Sequence, residues 1–212
     1  MERERITISI KKSVLKLIDR TIDGINIRNR SHAIENLTLK GLSQNNDKNA
    51  VILMGGKDAL KYLAATEQII KELKRSGYDK IYLAVGFLAD KIKAKFGDGS
   101  QYKVELDYIS EGEGSAGAIS PLKKNFASSF LVFNCQTAPK LDLDKFFEYH
   151  KKHQAVATVA VEDRKLKNGI YAFEPAVFDY IPKGFSMLEE DVLPKLAQKG
   201  ELAGYLQFST SN

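Results

Sequence analysis

The chain has 212 residues, 43% of them hydrophobic, and a formal net charge of +5, which suits one or two globular domains with a hydrophobic core. No apolar run approaches the length of a membrane span, and the charged start is unlike a signal peptide. A single cysteine, Cys135, excludes an internal disulfide framework and fits a reducing compartment. The sequence therefore predicts a cytoplasmic protein without a membrane partner.

The first forty residues predict a short strand followed by two helices. In 5–10 (RITISI) isoleucines alternate with polar residues, which is the pattern of a half-buried strand. Apolar residues at helical spacing predict a first helix at 13–22, with Gly24 as the residue that stops it. They predict a second helix at 30–42, with Asn29 as its N-cap. Strand, helix and helix in this order resemble the ribbon-helix-helix family of DNA-binding proteins.

The resemblance implies a homodimer whose paired strands form a ribbon in the major groove, because so short a segment cannot close a core alone. Side chains of the ribbon and of the start of the second helix would contact bases and phosphates: Arg5, Thr7, Ser9, Lys11, Lys12, Asn29, Arg30 and Ser31. Residues 1–49 carry +4 and the remainder +1, which suits nucleic-acid binding. The alternative is an amphipathic edge strand with a solvated polar face.

A polar, asparagine-rich stretch separates this segment from a different pattern. The sequence predicts a ribbon-helix-helix domain at 1–43, a linker at 44–49 and an α/β domain at 50–212. In the last of these, apolar strands alternate with amphipathic helices, which predicts a mostly parallel sheet covered on both sides. The predicted strands are 50–54, 80–85, 104–109, 130–134, 155–161 and 169–173, and the predicted helices are 67–76, 89–96 and 143–152.

Several motifs of the α/β domain occur in the order found in sugar-phosphate nucleotidyltransferases, which join a nucleoside triphosphate to a sugar phosphate. They are Gly55-Gly56-Lys57, 86–92 (GFLADKI), 96–100 (FGDGS), 111–118 (EGEGSAGA), 130–134 (FLVFN) and 168–171 (NGIY). The resemblance implies a Rossmann-like α/β/α domain. Its candidate ligand-binding residues are Gly55, Gly56, Lys57, Gly114, Ser115, Ala116 and Gly117.

Departures from that family concern the groups that hold phosphates and metal. Gly55-Gly56-Lys57 runs almost directly into a helix, so most of the family's phosphate loop is missing. Gln136 stands where the family has a metal-holding aspartate, and an amide is a poorer Mg²⁺ ligand than a carboxylate. The stretch 162–167 is short, although the family has sugar-binding strands there. The family's second metal-binding aspartate is expected after Gly204-Tyr205, but 206–212 contains no acidic residue. The sequence therefore predicts no catalytic residue, no metal and no cofactor.

Two histidines, His150 and His153, lie three residues apart on a predicted helix and could share a metal. The lysines between them favour an exposed basic face instead. Cys135 at a strand end is interpreted as a buried thiol rather than a reactive one.

Taken together, these patterns predict a sequence-specific DNA-binding transcription regulator. Its second domain would be a catalytically inactive nucleotidyltransferase-like domain that assembles the homodimer into a tetramer or larger oligomer, or senses a nucleotide or sugar-nucleotide effector. The alternative is an active sugar-phosphate nucleotidyltransferase whose N-terminal arm dimerises it.

Overall fold

The structure is a computed structural model that describes residues 7–24, 27–44, 48–136, 141–162 and 165–207. It divides the chain into two compact units, Met1–Asn46 and Asp47–Asn212. Residues 45–47 of the predicted linker lie outside the described residues. Among the helices that the structure describes, none is long and apolar enough to cross a bilayer.

The described part of the first unit contains two helices, α1 (Lys12–Asp19) and α2 (Arg30–Gln44). α1 ends earlier than predicted because both the hydroxyl and the N–H of Thr21 donate to the Ile18 carbonyl. The predicted N-cap of α2 is confirmed, since Asn29 Oδ1 accepts from the His32 N–H at 2.9 Å. Arg30 and Asp19 form a two-point ion pair, at 2.7 and 2.9 Å, that joins the two helices.

The strand predicted at 5–10 is wrong for the residues of it that are described. Arg5 and residue 6 lie outside them, and residues 7–10 form no strand, with Ile8 52% exposed. A strand must pair its N–H and C=O groups with a neighbour, and the neighbour predicted for this one was the same segment of a second chain. Alternation in the sequence does not supply that partner.

The second unit contains a seven-stranded sheet with strand order β3-β2-β1-β4-β6-β5-β7. The strands are β1 (Asn49–Leu53), β2 (Lys80–Ala84), β3 (Glu105–Ile109), β4 (Phe130–Asn134), β5 (Ala157–Glu162), β6 (Lys165–Phe173) and β7 (Leu202–Gln207). β1 to β4 are parallel, β6 is antiparallel to β4 and β5, and β7 is parallel to β5. The predicted mostly parallel α/β sheet is confirmed. β7 was not predicted, because LAGYLQ contains a glycine and lacks clear alternation.

Helices cover both faces of this sheet. They are α3 (Leu63–Arg75), α4 (Ala89–Phe96), α5 (Gly114–Gly117), α6 (Leu143–His153) and α7 (Leu193–Gln198). Alternate residues of the strands belong to two different cores, one on each face of the sheet. On one face, Ile52 and Phe133 pack with α3, α4 and α6. Leu53, Val132 and Tyr171 pack with α5 and α7 on the other face, which is called the α5 face below.

The strand order reverses at β1, because the chain extends the sheet through β2 and β3 and then returns to place β4 on the other side of β1. The carboxyl ends of these four parallel strands open at one edge, called the carboxyl edge below. Open α/β sheets bind ligands outside the carboxyl ends of the strands at such a reversal. The fold therefore locates a candidate site where β1 and β4 end.

β4 and β6 approach closely near this edge, at Gly169. Its φ is +61°, and a Cβ built on it would lie 2.4 Å from the Asn134 Cβ. Only glycine combines this backbone conformation with this proximity.

Gly169→Ala should lower the free energy of unfolding by about 1–3 kcal/mol more than Gly200→Ala does. Gly200 also has a positive φ, +73°, but nothing lies within 4 Å of its Cβ position. Gly200→Ala therefore measures only the cost of placing a residue with a Cβ at positive φ. Denaturant unfolding of both variants measures the difference. Equal losses would contradict the close approach.

Candidate functional site at the carboxyl edge

The first group at the carboxyl edge is Gly55-Gly56-Lys57, directly after β1. Gly56 has a φ of +92°, and its carbonyl accepts from the Ala59 N–H at 3.4 Å, which closes a turn into the following helical segment. The N–H groups of Gly55, Gly56 and Lys57 donate to no other group in the described part of the chain. Consecutive N–H groups without acceptors beside an exposed lysine are a suitable site for an anion.

The second group follows β4, where sugar-phosphate nucleotidyltransferases are expected to hold a metal. Asn134 Oδ1 accepts from the Gln136 N–H at 3.2 Å, and Gln136 is exposed. Cys135 is buried, and burial raises the pKa of its thiol to about 11. The described residues contain no group of three His, Cys, Asp or Glu side chains that could hold a metal ion. Two amides and a protonated thiol do not fit a resident Mg²⁺ ion.

The third group is the glycine loop, residues 111–118, which follows β3 and contains α5. The Ser186 N–H donates to the Glu113 carbonyl at 3.0 Å, and the Ala116 and Gly117 N–H groups donate to the Ser186 carbonyl at 3.0 and 3.2 Å. A Cβ on Gly114 would lie only 2.2 Å from that same carbonyl oxygen. The loop therefore packs against segment 184–188, and its glycines permit that approach.

Side chains add a second connection between the same elements. Ser115 Oγ accepts from the Leu188 N–H at 2.8 Å and donates to a Glu189 carboxylate oxygen at 3.2 Å. The hydroxyl of Tyr171, on β6, donates to the other oxygen of this carboxylate. Burial raises the pKa of Tyr171 the most, and the hydrogen bond to Glu189 raises it further.

Glu189 was not among the candidates from sequence. It lies on a π-helical turn, Leu188–Val192, whose sequence LEEDV has three consecutive acids. An acidic run normally forms a solvated surface, so nothing in the sequence favoured one of the three acids over the others. The available signal was the serine at 115, whose hydroxyl needs a partner once α5 packs against the sheet.

The two histidines do not share a metal. His150 is fully buried, with Nδ1 2.8 Å from Thr158 Oγ1 and Nε2 3.3 Å from Glu174 Oε1. His153 instead has its Nδ1 2.8 Å from the Tyr149 carbonyl oxygen. His150 thus belongs to a polar cluster that joins α6 to β5 and to the end of β6.

Glu174 in this cluster also accepts a hydrogen bond from the Ser129 hydroxyl at 2.6 Å. His150 has the largest effect on the pKa of Glu174 and lowers it. Burial raises this pKa, and the hydrogen bond from Ser129 lowers it further. Ser129 precedes β4 and Glu174 follows the antiparallel β6, so the cluster lies at the edge opposite the carboxyl edge. Its role is to hold the fold rather than to bind a ligand at the candidate site.

Comparisons with known proteins agree with this geometry, although no family model matches the chain. The chain is 28% identical to a UTP–glucose-1-phosphate uridylyltransferase of Synechocystis sp. over 183 residues, covering 63% of this chain and 47% of the relative. It is 24% identical to a mannose-1-phosphate guanylyltransferase of Mycobacterium tuberculosis over 214 residues, covering 76% and 59%. The chain thus spans about half the length of the curated relatives it matches.

Solved structures show the same fold. HddC from Yersinia pseudotuberculosis, complexed with GMP-PN, superposes with a TM-score of 0.61 at 20% identity, covering 76% of this chain and 90% of that chain. A Bacillus anthracis protein described as a glucose-1-phosphate thymidylyltransferase, solved with sucrose, gives a TM-score of 0.63 at 14% identity, covering 76% and 87%. The chain therefore contains a domain like that of the sugar-phosphate nucleotidyltransferases.

The prediction of a DNA-binding transcription regulator is wrong. The relatives and structural neighbours are nucleotidyltransferases, and none of them indicates a ribbon-helix-helix domain, a dimer built through it or a DNA partner. The comparisons favour the alternative, a sugar-phosphate nucleotidyltransferase, over a regulator with an inactive second domain.

The structure describes all but one of the residues proposed to contact DNA, and Arg5 is the one that lies outside the described residues. Arg30 pairs with Asp19, and Asn29 caps α2. The remaining five are exposed: Thr7, Ser9, Lys11, Lys12 and Ser31. Within the described part of 1–49, the basic residues thus include both exposed and ion-paired side chains.

Glu174→Gln should destabilise the protein at about pH 7. A carboxylate whose pKa is lowered by folding stabilises the fold above its unfolded pKa and loses that contribution as the pH falls through the folded value. The difference in unfolding free energy between wild type and Glu174→Gln should therefore persist above about pH 5 and shrink below about pH 4. Urea unfolding at several pH values measures it.

Glu148→Gln is the matched control, because Glu148 is an exposed carboxylate on α6. Its effect should be small at every pH. A wild-type advantage over Glu174→Gln that grew on acidification would contradict the assignment of a stabilising carboxylate.

Proposed function

We propose that Asp47–Asn212 transfers a nucleotidyl group from a nucleoside triphosphate to a sugar phosphate. The observation that carries the proposal is the set of N–H groups at Gly55, Gly56 and Lys57, which donate to no other group among the described residues. They follow the central strand where the strand order reverses, on a fold shared with sugar-phosphate nucleotidyltransferases.

Phosphate oxygens would accept hydrogen bonds from these N–H groups. A backbone donor suits this task because it is fixed by the strand that precedes it and needs no side chain to be ordered on binding. The exposed Lys57 ammonium would add positive charge beside the same oxygens. Phosphate binding at Gly55, Gly56 and Lys57 is thus proposed without a metal, because the donors after β4 do not fit one.

The glycine loop would form the wall beside this phosphate site. Leu53, at the end of β1, and Ala116, in the loop, belong to the same buried core, so the loop lies against the α5 face of the sheet. Gly114, Ser115, Ala116 and Gly117 already hydrogen bond or pack against segment 184–188. They would therefore contact the nucleoside or the sugar as a preformed surface.

The proposed reaction is a displacement at phosphorus. An oxygen of the sugar phosphate attacks the α-phosphorus of the nucleoside triphosphate, a new P–O bond forms, and the bond to the departing pyrophosphate breaks. Negative charge develops on the oxygens around phosphorus and on the leaving group, and donors already aimed at them stabilise this transition state. The N–H groups of 55–57 and the Lys57 ammonium are the donors that this chain offers.

A pyrophosphate-release assay tests the proposal. UTP, GTP, CTP and dTTP are each paired with glucose 1-phosphate and mannose 1-phosphate, and at least one pair should yield pyrophosphate and the corresponding sugar nucleotide. Lys57→Ala should lower kcat/KM for that pair by about tenfold to a hundredfold, because it removes a cation beside the reacting phosphates.

Lys124→Ala is the control, since Lys124 is exposed and lies ahead of the amino end of β4. Its kcat/KM should match that of wild type. No pyrophosphate and no nucleotide binding by calorimetry with any of the four triphosphates would overturn the proposed function. Equal losses in the two lysine variants would remove Lys57 from the site.

A further inference from the structure

We propose that Glu189 is a positioning residue that latches the glycine loop to the sheet. The latch consists of one carboxylate that accepts from Ser115 of the loop and from Tyr171 of β6. Its consequence for a bound nucleotide or sugar nucleotide rests on the proposed function, whereas the latch itself can be tested without a ligand.

The direction of each hydrogen bond follows from the groups present. The Ser115 hydroxyl has one proton, and one of its lone pairs already accepts from the Leu188 N–H at 2.8 Å. Its proton is therefore directed to the Glu189 carboxylate, at 3.2 Å. The Tyr171 hydroxyl donates to the second oxygen, so each oxygen accepts from a different element.

Tyr171 is the fixed end of the latch. Its side chain is 2% exposed and lies in the α5-face core, and its strand pairs with β4 opposite Val132. Ser115 is the end that needs fixing, because α5 has only four residues and two of them are glycines. A short, glycine-rich helix has little stability of its own.

A carboxylate is required for this arrangement because both partners are donors. A glutamine at 189 offers one acceptor oxygen and an NH₂ group, which cannot accept from either hydroxyl. Replacement by glutamine therefore removes the charge from both bonds and leaves the NH₂ group able only to donate, so one hydroxyl must become the acceptor, while the shape of the side chain is preserved. Glu190 provides a matched comparison, because it is the next residue of the same π-helical turn and, like Glu189, is exposed.

Hydrogen–deuterium exchange of the full chain tests the latch. Glu189→Gln should exchange the amides of 112–117 about tenfold faster than wild type, as expected for the loss of one charge-assisted hydrogen bond. Glu190→Gln should exchange them at the wild-type rate. Unchanged exchange in Glu189→Gln, or equal acceleration in both variants, would overturn the latch.

Ser115→Ala is the second variant, which keeps the Glu189–Tyr171 bond and removes both bonds of the Ser115 hydroxyl, the one to Glu189 and the one from the Leu188 N–H. It should also accelerate exchange in 112–117, so the test stands even if Glu189→Gln does not fold. Wild-type exchange in Ser115→Ala would overturn the latch.

A kinetic measurement with the most active nucleotide pair tests the consequence for the ligand. Glu189→Gln should raise the KM for the nucleotide by about tenfold with a smaller change in kcat, because it disorders a binding wall rather than a reacting group. A wild-type KM in Glu189→Gln would overturn this consequence. Absence of activity in wild type would overturn the proposed function alone, because the exchange experiment decides the latch independently.

Discussion

The structure of the second unit depends on the central position of β1. All five of its residues are buried, and it pairs with β2 on one side and with β4 on the other. A strand enclosed in this way uses its backbone hydrogen-bonding groups within the sheet and presents apolar side chains to both faces. The chain can offer polar groups to a ligand only beyond the end of such a strand. The N–H groups at Gly55, Gly56 and Lys57, which have no acceptor among the described residues, lie at that point.

The glycines of the loop at 111–118 allow one protein segment to approach another. A Cβ on Gly112 would lie 2.1 Å from the Gly117 carbonyl oxygen, and one on Gly114 would meet the Ser186 carbonyl. A glycine-rich motif after a strand is often interpreted as a loop that cradles a ligand. Here the space that the glycines leave is filled by the chain itself, and the loop becomes a supported wall.

The two edges of the sheet use polar groups in different ways. At the carboxyl edge, the described residues after β4 are neutral, and the N–H groups of 55–57 have no acceptor in the described part of the chain. At the other edge, the buried His150 bonds Thr158 and lies 3.3 Å from the half-buried Glu174, which accepts from the buried Ser129. Buried polar groups without partners destabilise a fold, whereas exposed donors without partners cost little because water satisfies them. The exposed donors without partners are therefore the groups that a ligand can bind.

The sequence by itself determined six of the seven described strands and the three longest described helices of the α/β domain, and the position of Gly55-Gly56-Lys57. It could do so because periodicity and turn residues report burial and chain reversal within one element. It also predicted the Asn29 cap, which is local. It failed for 5–10, where alternation indicated a strand but pairing depends on a distant partner, and for β7. Only the tertiary structure decided that Ser115 and Glu189, 74 residues apart, share a hydrogen bond. The reason is physical: such contacts depend on which elements the sheet order brings together, and no local pattern encodes that order.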